Sequence, residues 1–284
     1  MSPSVSVRPD CCYRDGQRAT PSLAEVLAPE GAVRGWGHGN DARLLGLHDE
    51  LPGPSAAWFN GFAIHCLEWD AVHERAVVHA MSVVTAALLA AVDLKGGCDA
   101  DDFLTALCVG VDIASGMGVA ATGAMQFFRP STAGVIGAAL AVARLEKLPQ
   151  KKYANVMGLA YSQAAGTMQA HVEASIALPL QIANASRCAI TAVDLAKAGM
   201  DGPHDALEGA FGYFKLFEPG DLPRYTDGIG SKWLIEEVSI KPFPSGRPSH
   251  AILGAIDNMM RDGWLDPAHV VSVDLSAPTI IHRL

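Results

Sequence analysis

Charge is scarce in this 284-residue chain: 18% of its residues are Asp, Glu, Lys or Arg, and 21 cationic side chains face 30 acidic ones, a formal net charge of −9. Such a chain lacks the clustered cations that drive phosphate binding and counterion release, which argues against nucleic acid as its main partner. Aromatic residues are also few, at 7%, while half of all residues are hydrophobic, too many for a disordered chain. A core made from Ala and Gly more than from rings predicts helices in close contact. The six cysteines, Cys11, Cys12, Cys66, Cys98, Cys108 and Cys188, form no CxxC pair, so neither a disulfide framework nor a zinc site is expected. The longest apolar run, Ala80 to Val92, falls short of the roughly 20 residues of a membrane span and reads as a buried helix. No apolar leader opens the chain, and Arg8, Arg14 and Arg18 are interrupted by Asp10 and Asp15. The expected location is therefore the cytoplasm, with mitochondria as the alternative. A phosphate-cradling P-loop, a GxGxxG and a GxSxG nucleophile elbow are all missing.

What is present begins with helical periodicity. Residues 1–53, rich in Pro, Gly, Ser and Arg, are expected to be an irregular segment. From there, Ala56–Asp70, Ala80–Leu94, Asp101–Gly116, Thr132–Leu145, Lys151–Met168, Leu178–Ala198 and Ser249–Asp262 read as helices. Gly96-Gly97 closes one of them, Asp99 can cap the next, and Gly199 through Pro203 ends another. Strand patterns come late, at Glu236–Ile240 and Val270–Leu275. The fold expected is mainly α: a helical domain over residues 54–235, then an incomplete α+β segment over 236–284. The Ala- and Gly-rich helices at Thr132–Leu145 and Leu178–Ala198 are expected to leave apolar surface for a partner copy to cover.

Polar residues that could carry chemistry fall in three places. Asn60, His65, Glu68, Asp70, His73, Glu74 and His79 crowd between two apolar helices. A carboxylate beside a histidine is a workable acid/base pair, because each tunes the proton affinity of the other; the plainer reading is a helix end with its solvated loop. A metal held by His65, Glu68 and His73 matches neither zinc nor di-iron spacing, so no metal is expected. Second, Phe127-Phe128-Arg129-Pro130-Ser131-Thr132 precedes a helix, where Ser131 or Thr132 could cap and Arg129 could join the helix N-terminus in an anion site. Third, Lys241-Pro242-Phe243-Pro244-Ser245-Gly246-Arg247-Pro248-Ser249-His250 sets cations in a proline-fixed turn.

Six ordered blocks carry a resemblance: AAWFNGFAIHCLEWDAVH (Ala56 to His73), VVHAMSVV, RPSTAGVIGAALAVARL, GLAYSQAAGTMQ, DGPHDALEGAFGYF and IKPFPSGRPSH. In order and spacing, from about Trp36 to His250, the chain resembles the MmgE/PrpD superfamily, whose members include 2-methylcitrate dehydratase, cis-aconitate decarboxylase and an iminodisuccinate epimerase. The resemblance implies a large helical domain with a smaller α+β lid, a homodimer, a small di- or tricarboxylate substrate and no cofactor. It also implies a chain truncated at both ends relative to the family. Carried over, Glu68, Asp70, His73 and His79 fall on the acidic/histidine segment, Arg129 falls where many members place a histidine, and Lys241, Arg247 and His250 fall on the lysine-proline turn. Two departures stand out. The Asp-Asp-Thr stretch is Asp70-Ala71-Val72 here, and a Lys-x-x-His segment is Leu178-Pro179-Leu180-Gln181.

The function expected is a lyase that removes a β-hydroxyl or CO₂ through proton transfer next to a carboxylate. Asp70 with His73 is the expected base pair, supported by Glu68; His79 is the expected acid. Arg129, Lys241, Arg247 and His250 are the expected carboxylate-binding groups. Two alternatives stay open, a catalytically silent family member acting as a dimer-forming scaffold and an epimerase on a dicarboxylate.

Overall fold

Small residues decide how the helices pack. The computed structural model describes residues 4–7 and 23–276; Arg8, Cys11, Cys12, Arg14 and Arg18 lie outside them. Five long helices form the body: α2 (Gly53–His65), α3 (Ala80–Lys95), α4 (Ala100–Ala120), α6 (Gly134–Leu145) and α9 (Ala177–Lys197). Helix α6 is the hub, packed against α3, α4, α9 and α7 (Tyr153–Tyr161). Its contact with α4 works because neither side carries a Cβ at the crossing. A Cβ built on Gly137 would lie 2.4 Å from the Gly110 carbonyl oxygen, and one on Gly110 would lie 2.7 Å from the Ala141 side chain. Helix α2 meets α9 in the same way, at Gly61 against Ala183 and Ser186. Close backbone approach increases the number of dispersion contacts per residue, so a core poor in rings still reaches interior density.

By length and composition α4 could cross a bilayer, yet two-thirds of its apolar window is buried, as in the core helix of a bundle. Every residue of α6 except Arg144 is buried, and α9 buries Ile182, Ala189, Ile190 and Val193. The expectation that these two helices expose apolar surface is therefore corrected for α6, which is the centre of the molecule; α9 covers it and leaves Leu180 exposed.

Shorter elements complete the chain. Helix α1 (Leu23–Arg34) lies on α2, inside the segment expected to be irregular. The Pro, Gly and charged residues that hide its period are tolerated because it packs along one side only. Helix α5 (Arg129–Thr132) leads into α6, α8 (Gln169–Val172) into α9, and α10 (Tyr213–Leu216) and α11 (Pro223–Thr226) follow α9. Among the described residues two antiparallel pairs join distant parts, β1 (Ser4–Val7) with β6 (Val273–Ser276) and β4 (Val72–His73) with β5 (Val238–Ser239), while β2 (Ala42–Arg43) and β3 (Glu50–Leu51) form a local hairpin. The late strand pattern is thus paired within the chain. Helix α12 (His250–Arg261) runs between β5 and β6. Of the caps, Gly96 ends α3 in the left-handed region at φ 77°, with the Gly96 and Gly97 N–H groups donating back to Asp93 and Val92.

Candidate active site

Helix α2 stops at His65, five residues earlier than its periodicity suggests. On a continuing helix Asp70 would point about 140° away from His65. Instead the chain turns back through Glu68, a non-glycine residue at φ 55°, and Asp70 returns to face the ring it has just passed. The His65 Nδ1 and Asp70 Oδ2 atoms are 2.7 Å apart, and both side chains are almost wholly buried. The same oxygen lies 3.1 Å from His79 Nδ1 and accepts the Ser82 hydroxyl. His79 is the N-cap of α3 and Ser82 stands in its first turn, so Asp70 sits at a helix N-terminus, where unpaired N–H groups favour a negative charge.

The remaining member arrives from far along the chain. Pairing of Val72 with Ser239 and of His73 with Val238 brings the strand before Lys241 alongside the 68–73 segment. Lys241 Nζ then donates to Glu68 Oε2 at 2.7 Å and lies 3.5 Å from Asp70 Oδ1; its side chain is 1% exposed. His65 Nε2 faces Glu68 Oε1 at 3.6 Å. Thus one buried cluster contains two carboxylates, two imidazoles and an ammonium.

Burial works to raise the Asp70 carboxyl, but the facing His79 and His65 rings outweigh it and hold Asp70 well below the usual carboxylate range. Burial works to lower His65, and the Asp70 charge and hydrogen bond reverse that, so His65 is raised. Glu68 is also lowered: its burial is overcome by His65 and Lys241. A lowered carboxyl favours the ionised form of Asp70, which faces both imidazoles and accepts the Ser82 hydroxyl. His79, with 14% of its side chain exposed, is the imidazole of the pair that a ligand can reach, whereas His65 is closed off at 1%. Three polar atoms in the cluster, His65 Nε2, Asp70 Oδ1 and His79 Nδ1, are buried with no hydrogen bond, the last in ion-pair range of Asp70 only. That is a local cost which functional sites commonly carry.

His65, Asp70 and His79 present nitrogen and oxygen atoms all within 4.8 Å of one another and are the residues that could hold a metal ion. The adjacent Lys241 ammonium opposes a second cation there, and the 2.7 Å His65–Asp70 separation is a hydrogen bond, shorter than the roughly 3.3 Å between ligands of a tetrahedral zinc. The donor set fits proton transfer better than ligation.

Of the residues singled out in the sequence, Glu68, Asp70, His79 and Lys241 come together; His73, Arg129, Ser131, Thr132, Arg247 and His250 go elsewhere. His73 is not Asp70's partner. Its Nε2 lies 3.2 Å from Glu237 Oε2, its Nδ1 accepts the Ala76 N–H, and burial lowers its pKa despite the Glu237 charge. The expected Asp70–His73 base pair does not form, because the extended β4 sets His73 against Glu237 and the Ala76 N–H while Asp70 turns back to His65. Arg129 is not free to clamp a ligand, since its fork is closed on buried Glu218 at 2.8 Å (Nε to Oε1) and 2.6 Å (Nη2 to Oε2). Ser131 and Thr132 do not cap a helix, because the Ser131 hydroxyl donates to the Ala165 and Gln181 carbonyls and Thr132 bonds Tyr213. Arg247 donates to Glu74 at 2.7 Å across an exposed pair, and His250 folds onto its own turn, with Nε2 3.2 Å from the Ser245 carbonyl oxygen.

Sequence reasoning gave His65 no catalytic place, although its spacing of five from Asp70 is met only through a left-handed residue between them. Ser82, Glu218 and Glu237 were missed, and no local pattern marks them. Two recesses lie apart from the cluster. One of about 700 Å³ is bordered by Arg43, His48, Glu50, Asn60 and Asp93. The other, of about 230 Å³, is lined by uncharged groups including Ser131, Gln163, Thr167 and Gln181. Asn60 itself ties the 43–45 loop down, its amide bonded to the Leu45 N–H and the Arg43 carbonyl.

Comparison with known proteins places this geometry in context. A family model described as the MmgE/PrpD N-terminal domain matches residues 20–226. The cis-aconitate decarboxylase-like protein oryM of Aspergillus oryzae is 28% identical over 264 residues, covering 84% of this chain and 55% of that protein. Human cis-aconitate decarboxylase is 30% identical over 217 residues, 72% of this chain and 44% of the enzyme. The Aspergillus terreus cis-aconitate decarboxylase is 27% identical over 233 residues, 76% and 47%. The chain spans about half the length of the curated relatives it matches.

Proposed function

The chain belongs to the MmgE/PrpD family, and from that membership together with the Asp70 cluster we propose that it is a lyase acting on a small di- or tricarboxylate by proton transfer at the carbon next to a carboxylate. Among the reactions open to such a site, decarboxylation is the reading favoured by the relatives, which are named cis-aconitate decarboxylases. The observation that carries the proposal is a buried Asp70 whose Oδ2 lies 3.1 Å from Nδ1 of the reachable His79 imidazole, with the Lys241 ammonium alongside.

In this reading His79 moves the proton. Asp70 fixes the ring's tautomer and steadies its charge when it is protonated. Lys241 supplies the cation: a substrate carboxylate displaces part-exposed Glu68 from it and gains a charge-assisted bond in a site of low dielectric. As CO₂ leaves, the electron pair left on carbon is stabilised by that cation and takes the proton from His79. Dehydration uses the same groups, with neutral His79 taking the proton from the carbon next to the carboxylate and handing it to the departing hydroxyl, which leaves as water.

The test is turnover of a polycarboxylate panel including cis-aconitate and 2-methylcitrate, followed by CO₂ release and alkene absorbance. His79→Asn is expected to lower turnover by about 10²–10⁴-fold, the usual worth of a general acid–base group, while melting stays close to the parent. His204→Asn, an exposed histidine bonded to Asn155, is the control and is expected to keep full turnover. No turnover of any panel member at high enzyme concentration would overturn the lyase reading in favour of a scaffold. Exchange of solvent deuterium into an unconsumed dicarboxylate would point to the epimerase instead.

A further inference from the structure

Arg129 is a buried cation to which the proposed chemistry gives no substrate. Each of its three nitrogens is engaged: Nε and Nη2 on Glu218, and Nη1 on the Ala76 carbonyl oxygen at 2.5 Å. Glu218 is held in turn by the Tyr213 hydroxyl at 3.1 Å, and Tyr213 by Thr132 at 3.0 Å. Arginine and glutamate side chains are both about 5% exposed. The fork is therefore fixed from behind, and what it presents forward is one N–H to one backbone carbonyl.

That carbonyl belongs to the turn that delivers His79. His73 and Val78 bridge across it, with the His73 N–H donating to Val78 at 3.0 Å. Between them Val77 sits at φ 52°, a left-handed conformation that a β-branched residue adopts only where its surroundings force it. Three surroundings do so. His73 Nδ1 accepts the Ala76 N–H at 3.1 Å, and Arg129 holds the Ala76 carbonyl. From below, α4 presses on the turn at Gly118, where an added Cβ would lie 2.5 Å from the same carbonyl oxygen. The residue after Val78 is His79, whose ring must meet Asp70.

We propose that Arg129, braced by Glu218, is a positioning residue that holds the 73–79 turn in its left-handed form and thereby aims His79 at Asp70. The inference rests on the reading of His79 as the proton-transferring group, but its test does not need turnover. Lysine keeps the charge and cannot make the three-way contact. A paired change to methionine removes both charges with similar volume and leaves no lone ion in the interior.

The experiment uses the full chain with ¹⁵N-labelled backbone and histidine rings. In Arg129→Met/Glu218→Met the Val78 amide is expected to exchange about ten-fold faster, equivalent to about 1.4 kcal/mol of local opening. The His79 ring resonance, identified by its loss in His79→Asn, is expected to shift at fixed pH while that of His204 stays in place. Arg129→Lys should move both signals in the same direction by less. An ion pair that serves stability alone lowers melting and leaves the His79 resonance and the Val78 rate unchanged in a folded variant; that outcome overturns the proposal. If the paired variant does not fold, Arg129→Lys decides by the same two signals, and no change there is equally fatal. A chain that turns over no polycarboxylate still reports both. Where turnover is found, kcat is expected to fall with KM within about two-fold, whereas a substrate clamp would raise KM.

Discussion

Two buried charge clusters lie on either side of the 73–79 turn, and they are finished differently. Around Arg129 donors and acceptors are matched: guanidinium to carboxylate, hydroxyl to carboxylate, the last nitrogen to a backbone carbonyl. Around Asp70 they are not, for His65 Nε2, Asp70 Oδ1 and His79 Nδ1 make no hydrogen bond, and Glu68 leaves nearly a third of its side chain exposed beside Lys241. A satisfied network holds a shape; one with spare capacity can accept a ligand's atoms. The contrast is in keeping with the support proposed for the first and the chemistry proposed for the second, although the sequence offered both Arg129 and Asp70 as site residues.

The sharpest way to break this comparison is Asp70→Asn, which strips the partner from a buried cation and is expected to cost about 3–5 kcal/mol. Its pH dependence is diagnostic. Asp70 is lowered in the folded chain, so its contribution is present above the unfolded value of about 3.9 and fades as pH falls through the folded value. His65 is raised, so its contribution is full below the unfolded value of about 6.5 and fades as pH rises through the folded value. The stability gap between parent and variant should therefore be widest from about pH 4 to 6.5 and narrow on both sides. Denaturant melts across pH measure it, and a flat gap would remove the ion pair from the account.

Glu218→Gln tests the other cluster. The amide keeps the shape and one acceptor but loses the charge, for an expected cost of about 1.5–3 kcal/mol. Because the Arg129 charge it leaves behind does not titrate at ordinary pH, that cost should stay constant between about pH 5 and 8, unlike the Asp70 gap. Arg247→Ala is the smallest change. Its pair with Glu74 is exposed on both sides, and the expected loss is under about 1 kcal/mol, screened further by salt. A large loss there would show that the Lys241–His250 turn contributes more than geometry.

The sequence made the helices legible wherever burial imposed a period: α3 starts at Ala80 as read, and α9 and α12 lie within a residue or two of their expected starts and ends. It concealed what depends on single backbone states. Glu68 and Val77 in the left-handed region carry no glycine or asparagine signal, yet the first turns Asp70 back to His65 and the second turns His79 toward Asp70. Partners chosen by tertiary contact were equally hidden. Arg129 and Glu218 are 89 residues apart, and nothing near either one announces the other. Asp70, His79 and Lys241 were singled out in the sequence and meet in one cluster, whereas the pairing of Asp70 with His73 did not form, because a neighbour in sequence stood in for a neighbour in space.

The joining of β4 to β5 across so much chain sets a timetable. Ser82 reaches Asp70 over 12 residues, but Lys241 reaches Glu68 over 173, and closing the longer loop costs roughly 2 kcal/mol more in chain entropy. During synthesis the carboxylates and imidazoles can assemble while the lysine is still to be made, so the nascent cluster is first an anionic pocket and only later a neutralised one. In the finished molecule the late arrival is fastened at several points: two residues of pairing, the Leu234 N–H on Asp112 and the Lys241 ammonium on Glu68 tie the segment to α4 and to the 68–73 turn.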